Sequence, residues 1–109
     1  MISEQYKSKI KDKVTAKFSE MGVDEETINE LVDVSIESLS EEISQVETIL
    51  NSDNLDDLGI HTHTIKGVLL NVGLEDDANR FKEIKHLFED GKSNEEIKEI
   101  TKERMSIFS

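Results

Sequence analysis

The chain has no cysteine, no proline and no tryptophan, and only five glycines and one tyrosine among its 109 residues. Without cysteine there can be no disulfide framework and no thiolate metal site, the two devices that hold many small secreted folds together. Without proline and with few glycines, the punctuation of a many-turned β protein is missing, and long uninterrupted helices are left open. Aromatic residues make up 5%, so the core has to come from Ile, Leu and Val with four Phe as larger fillers. Positive charge is also scarce: 13 Lys and Arg face 25 Asp and Glu, and the net charge of −12 repels nucleic acid and anionic lipid alike. No run approaches the ~18 apolar residues that span a bilayer, and Met1-Ile2-Ser3-Glu4-Gln5-Tyr6-Lys7 lacks the apolar centre of a signal peptide. A soluble, cytoplasmic protein with neither nucleic acid nor membrane as partner is expected.

What is present is helical periodicity. Ile2, Tyr6, Ile10, Val14, Phe18 and Met21 recur three and four apart and stripe a first helix from about Ser3 to Glu20, which Gly22 can end. Asp24 can cap a longer second helix striped by Ile28, Leu31, Val32, Ser35, Leu39, Ile43, Val46 and Leu50. After the turn Asn51-Ser52-Asp53-Asn54, the residues Leu55, Leu58, Thr62, Ile65, Leu69 and Val72 line the inner face of a third helix, which Gly73 interrupts. Asp76 and Asp77 open a fourth, with Ala78, Phe81, Ile84, Leu87 and Phe88 inward and Gly91 at its end. Ser93-Asn94-Glu95-Glu96 has the capping-box form and starts a fifth, striped by Ile97, Ile100, Arg104 and Ile107. Short turns favour antiparallel neighbours. The expected fold is all-α: one domain over residues 1–109, made of an N-terminal helix (1–22) added to an antiparallel up-and-down four-helix bundle (24–108).

The third helix carries the candidate chemistry. With His63 at zero on a wheel of about 100° per residue, Lys66 falls near −60°, Gly67 near +40°, Leu70 near −20°, Gly59 near −40° and Asp56 near +20°. The apolar stripe lies at about 180–240° on the same wheel, so His63 points away from the core, where a partner can meet it. Two glycines, the apolar Leu70 and a single cation make this face a docking patch, and they do so at a cost of about 1 kcal/mol of helix propensity per glycine. Gly59, Ile60 and Leu70 are the candidate partner-binding residues.

A neutral imidazole nitrogen attacks phosphorus directly, and an exposed histidine with a reference pKa near ~6.5 is mostly neutral at neutral pH. Phosphoryl transfer then needs in-line positioning and stabilisation of the equatorial oxygens. Lys66, one turn from His63, can supply the second, so its loss should weaken transfer without abolishing it. Gly67 leaves room for an approaching group, and a bulky residue there should obstruct transfer while the fold survives. His-x-x-Lys-Gly arises by chance at roughly one position in ten thousand. Its weight therefore comes from its place on the outer face of a mid-chain helix with Asn71 and Gly73 following.

His63-Thr64-Ile65-Lys66-Gly67 followed by Asn71-Val72-Gly73 resembles the signature of histidine-containing phosphotransfer (HPt) domains, closely over the motif helix and more generally from about Asp24 to Ile107. The resemblance implies phosphorylation of His63 on Nε2 and exchange with the aspartate of a response-regulator receiver domain. It also implies a histidine kinase or hybrid kinase upstream, and Mg²⁺ held by the receiver, with no cofactor or metal of the chain's own. Members commonly have small residues directly after the glycine; this chain has Val68, Leu69 and Leu70. No segment resembles an ATP-binding kinase domain, so the chain is expected to be a phosphotransfer intermediate and not an enzyme.

The other histidines read differently. His61 lies about 160° from His63 on the wheel, so the two cannot chelate one metal from this helix, and a buried or flanking structural histidine is expected. His86 reads as a helix-surface residue; Glu83 and His86 match the Glu-x-x-His spacing of di-metal bundles once, without the second copy such sites need. The acidic pairs Glu25-Glu26, Glu41-Glu42 and Glu95-Glu96 read as solvated faces. Two other roles stay open on sequence alone: a helical docking adaptor without chemistry, and the phosphoacceptor domain of a larger chemotaxis-type histidine kinase.

Overall fold

The computed structural model describes residues 2–109, and among these every regular element is helical. The helices are α1 (Glu4–Ser19), α2 (Glu25–Leu50), α3 (Leu58–Asn71), α4 (Glu75–Lys82), α5 (Ile84–Glu89) and α6 (Asn94–Met105), and a 3-10 turn (Ser106–Phe108) follows. Their ends follow local rules. The Ser3 side chain accepts from the Tyr6 amide at 3.1 Å, that of Asp24 from Thr27 at 2.8 Å and that of Ser93 from Glu96 at 3.2 Å, each satisfying an amide that the first helical turn leaves open. Only the Ser93 half of the expected capping box forms, since the Glu96 carboxylate reaches back to Lys92 instead. Gly73 ends α3 at φ +88: its amide bonds to Leu70 O at 3.1 Å and the Leu74 amide to Leu69 O at 2.9 Å, a closure that needs the left-handed backbone. Gly22, at φ +79, closes α1 in the same way.

Successive helices pack on one another, α1 on α2, α2 on α3 and α3 on α4, with α6 against α5. The connections are short, and the molecule is long and narrow, 47 × 22 × 19 Å, with the 26-residue α2 as its longest strut. The core joins the stripes read from the sequence: Tyr6, Ile10 and Val14 from α1, Ile28, Val32, Leu39, Ile43, Val46 and Leu50 from α2, and Leu58, Ile65 and Leu69 from α3 are buried. Thr62 and Thr101 are buried too, and each hydroxyl donates to the carbonyl four residues back, at 2.8 and 2.7 Å, which removes the cost of an unpaired polar atom.

Several expectations change in three dimensions. α3 starts at Leu58, so Leu55 and Asp56 lie in the preceding turn, where the Asn54 carboxamide accepts from the Asp56 amide at 2.9 Å and holds the chain out of helix. The fourth helix is interrupted at Glu83, whose backbone stays helical (φ −78, ψ −18) while α4 and α5 part on either side. Met21 is 68% exposed because it falls beyond the end of α1, and Leu31 is exposed on α2. Phe88 is 38% exposed: α5 has six residues, and Ile84 and Leu87 take its inward side.

The C-terminal turn returns to the start of the chain. Phe108 stacks on Phe81 (centroids 5.8 Å apart) and meets Tyr6 edge-on (4.9 Å), and the Ser3 amide donates to Phe108 O at 2.7 Å. The Tyr6 hydroxyl donates to Asp77 Oδ2 at 2.8 Å, and Lys9 reaches the same oxygen at 2.8 Å, so α1 is tied to α4. Burial first, then the Asp77 carboxylate, push the Tyr6 phenol well above its usual range.

Candidate functional site

α3 turns Leu58, Thr62, Ile65 and Leu69 into the core, and the same rotation sends His63 out to solvent. The three histidines are partnered differently. His61 Nδ1 lies 2.6 Å from Glu42 Oε2, half-buried between α3 and α2, and His86 Nδ1 lies 3.1 Å from Glu89 Oε2 on the surface of α5. Among the described residues the His63 side chain has no such partner, so its ring nitrogens are left to solvent or to an incoming group.

His63 opens onto a groove of about 630 Å³ between α3 and the α4–α5 segment. On the α3 side it is walled by Gly59, Ile60, Thr64 and Lys66, with Asp56 from the preceding turn at its rim. The opposite wall is Phe81, Lys82, Lys85 and His86. Phe81 is buried against Phe108, so the groove rests on the aromatic cluster that joins the chain's two ends.

The expected site residues are not all brought together. His63, Lys66, Gly59 and Ile60 share the groove, and Ile60 is 65% exposed there. Gly67 lies one turn from His63 on the same face, and Leu70, 40% exposed, a further turn along; neither lines the groove. A Cβ placed on Gly59 or on Gly67 would meet nothing within 4 Å, so the bundle's own packing requires neither glycine. Val68 is half-buried and Leu69 fully buried, so two of the larger residues after Gly67 serve the core, and Leu70 alone adds apolar surface to the outer face.

Lys82 and Lys85 went unnoticed in the sequence. Their only local signal is a three-residue spacing that puts both on one side of a helix, and nothing in that spacing says the side faces His63. The groove thus gathers three lysines and two histidines against one aspartate, in a chain of net charge −12. Among the described residues no group of three or more His, Asp and Glu is placed to hold a metal ion, and no helix is long and apolar enough to cross a membrane.

Searches of curated proteins and of solved structures found no match to the chain. The family model for the Hpt domain matches residues 30–105, well over half of the chain, a span that runs from α2 to the end of α6 and contains every groove residue while leaving out α1. His63, exposed on α3 and unpartnered among the described residues, lies with Lys66 and Gly67 inside that match, and the chain belongs to the Hpt domain family, whose members are phosphocarriers of phosphorelays.

Proposed function

We propose that this chain carries a phosphoryl group on His63 and exchanges it with the aspartate of a response-regulator receiver domain. The observation that carries the reading is the His63 side chain itself: exposed, unpaired among the described residues, and opening onto a lysine-walled groove, whereas His61 and His86 are each engaged by a glutamate.

In the forward step an imidazole nitrogen lone pair of His63 attacks the phosphorus of the receiver's aspartyl phosphate. The new N–P bond forms as the P–O bond to the aspartate breaks, and the electron pair of that bond leaves with the carboxylate. Nothing must be deprotonated for the attack, because the neutral ring already has a free lone pair. The Lys66 ammonium stabilises the charge on the equatorial oxygens. The bare helix surface at Gly59 and Gly67 admits the receiver, and exposed Ile60 and Leu70 offer it apolar contact. In this reading Mg²⁺ belongs to the receiver, and the phosphoryl group enters the relay from a histidine kinase or hybrid kinase acting in trans.

The test is transfer of labelled phosphate from phosphorylated receivers to the wild type and to His63→Gln. Acid-labile, base-stable label on the wild type alone supports the reading. Label retained by folded His63→Gln, or no label on the wild type from any receiver or kinase, overturns it and favours docking without chemistry.

A further inference from the structure

Lys82 and Lys85 line the His63 groove from the α4–α5 side, across from Lys66 on α3. Lys7, Lys9 and Lys92 are paired with Glu4, Asp77 and Glu96, and Arg80 and Arg104 are paired with Glu103 and Glu83. Lys11, Lys13, Lys17, Lys98 and Lys102 enter no ion pair among the described residues, and neither do Lys66, Lys82 and Lys85, but only these last three share a groove with His63. The acids nearest the two α4–α5 lysines in sequence are engaged elsewhere: Glu83 approaches Arg104 at 3.4 Å and Glu89 is held by His86 at 3.1 Å. Among the groove-lining residues only Asp56 is acidic. In a chain with nearly twice as many acids as bases, three lysines that share the His63 groove and have no ion pair among the described residues form a pocket for an anion that arrives there.

Resting on the carrier reading above, we propose that Lys82 and Lys85 form the second wall of the phosphoryl site and hold the oxygens of phosphorylated His63 from the side opposite Lys66. A phosphoryl group near neutral pH carries close to two negative charges, more than one half-exposed lysine compensates. Two further ammonium groups favour its fully ionised form, for the same reason that a cation lowers the pKa of a neighbouring acid. Phe81, buried and stacked on Phe108, lines the groove beside them. Asp56, the one acid among the groove-lining residues, opposes the effect.

The test uses the whole chain and a small donor, so that no partner surface enters. Phosphoramidate is the phosphoryl source: a His63 ring nitrogen displaces ammonia, the donor's N–P bond breaks and a new N–P bond to the ring forms. The ³¹P resonance of the phosphohistidine is then titrated with pH in the wild type, Lys82→Gln, Lys85→Gln, the double variant and Lys92→Gln, a surface control outside the groove. Both groove lysines are exposed, so the variants keep the fold. The expected result is a midpoint about 0.5 to 1 pH unit higher in the double variant, with smaller rises in the single ones and no change in Lys92→Gln. A double-variant midpoint equal to that of the wild type overturns the second wall while leaving the carrier reading intact. If neither phosphoramidate nor any phosphorylated receiver produces phosphohistidine on the wild type, the carrier reading fails, and that failure is distinct from the first.

Discussion

Gly67 and Gly73 stand six residues apart around the end of one helix, and replacing each by alanine should change stability in opposite directions. Gly67 is interior to the 14-residue α3, and a Cβ there meets nothing within 4 Å. Gly67→Ala therefore gains helix propensity with no packing to offset it, about 1 kcal/mol. Gly73 has φ +88, where an L side chain costs about 1–2 kcal/mol, so Gly73→Ala should lose about 1 kcal/mol after the smaller entropy loss of alanine is credited. With an unfolding entropy of about 0.23 kcal/mol/K for a chain of this length, each change moves Tm by roughly 4 °C, up for Gly67→Ala and down for Gly73→Ala. Thermal melts by circular dichroism, with urea unfolding to confirm an unchanged slope, provide the comparison. Receiver-dependent phosphotransfer should fall progressively through Gly67→Ala to Gly67→Leu, by tenfold or more at Leu on the order of a lost near-attack geometry, in proteins at least as stable as the wild type. A lower Tm for Gly67→Ala would show that the fold needs this glycine. Undiminished transfer by Gly67→Leu would show that the receiver does not approach over it.

Tyr6→Phe should destabilise the chain by about 1–2 kcal/mol, because Asp77 keeps Lys9 but loses a buried hydroxyl donor; urea denaturation checks it. The raised Tyr6 pKa also carries a sign. Its stabilisation is complete below the ordinary phenol value of 10.0 and is lost as pH rises above it, so the alkaline decline of wild-type stability should be shallower in the Phe variant. The Asp24 carboxyl is held below its ordinary value first by the Thr27 side chain and then by the Thr27 amide it caps, so its contribution is present above pH 3.8 and is lost as pH falls through the depressed value. Asp24→Asn keeps the cap without the titration, and its stability between pH 4 and 2 should fall less steeply, as chemical denaturation across that range would show.

The positions of helices along this chain are legible because helical periodicity and capping are local. Ile10 and Val14, Ile43 and Val46, Ile65 and Leu69 are all buried where their spacing puts them, and Ser3, Asp24 and Ser93 each cap the helix that follows. The outward direction of His63 follows from the same arithmetic, since burying Thr62, Ile65 and Leu69 leaves it no other direction. A wheel gives an angle on one helix and says nothing of what lies opposite. Lys82 and Lys85 become part of the His63 groove only when α4 packs on α3; the pairing of His61 with Glu42 depends on α2 passing beside α3, and Phe108 enters the core only because the C-terminal turn returns to Tyr6 and Phe81. The helices, their caps and the motif's exposed face follow from contacts three and four residues apart along the chain; which distant side chains surround His63 depends on how whole helices pair.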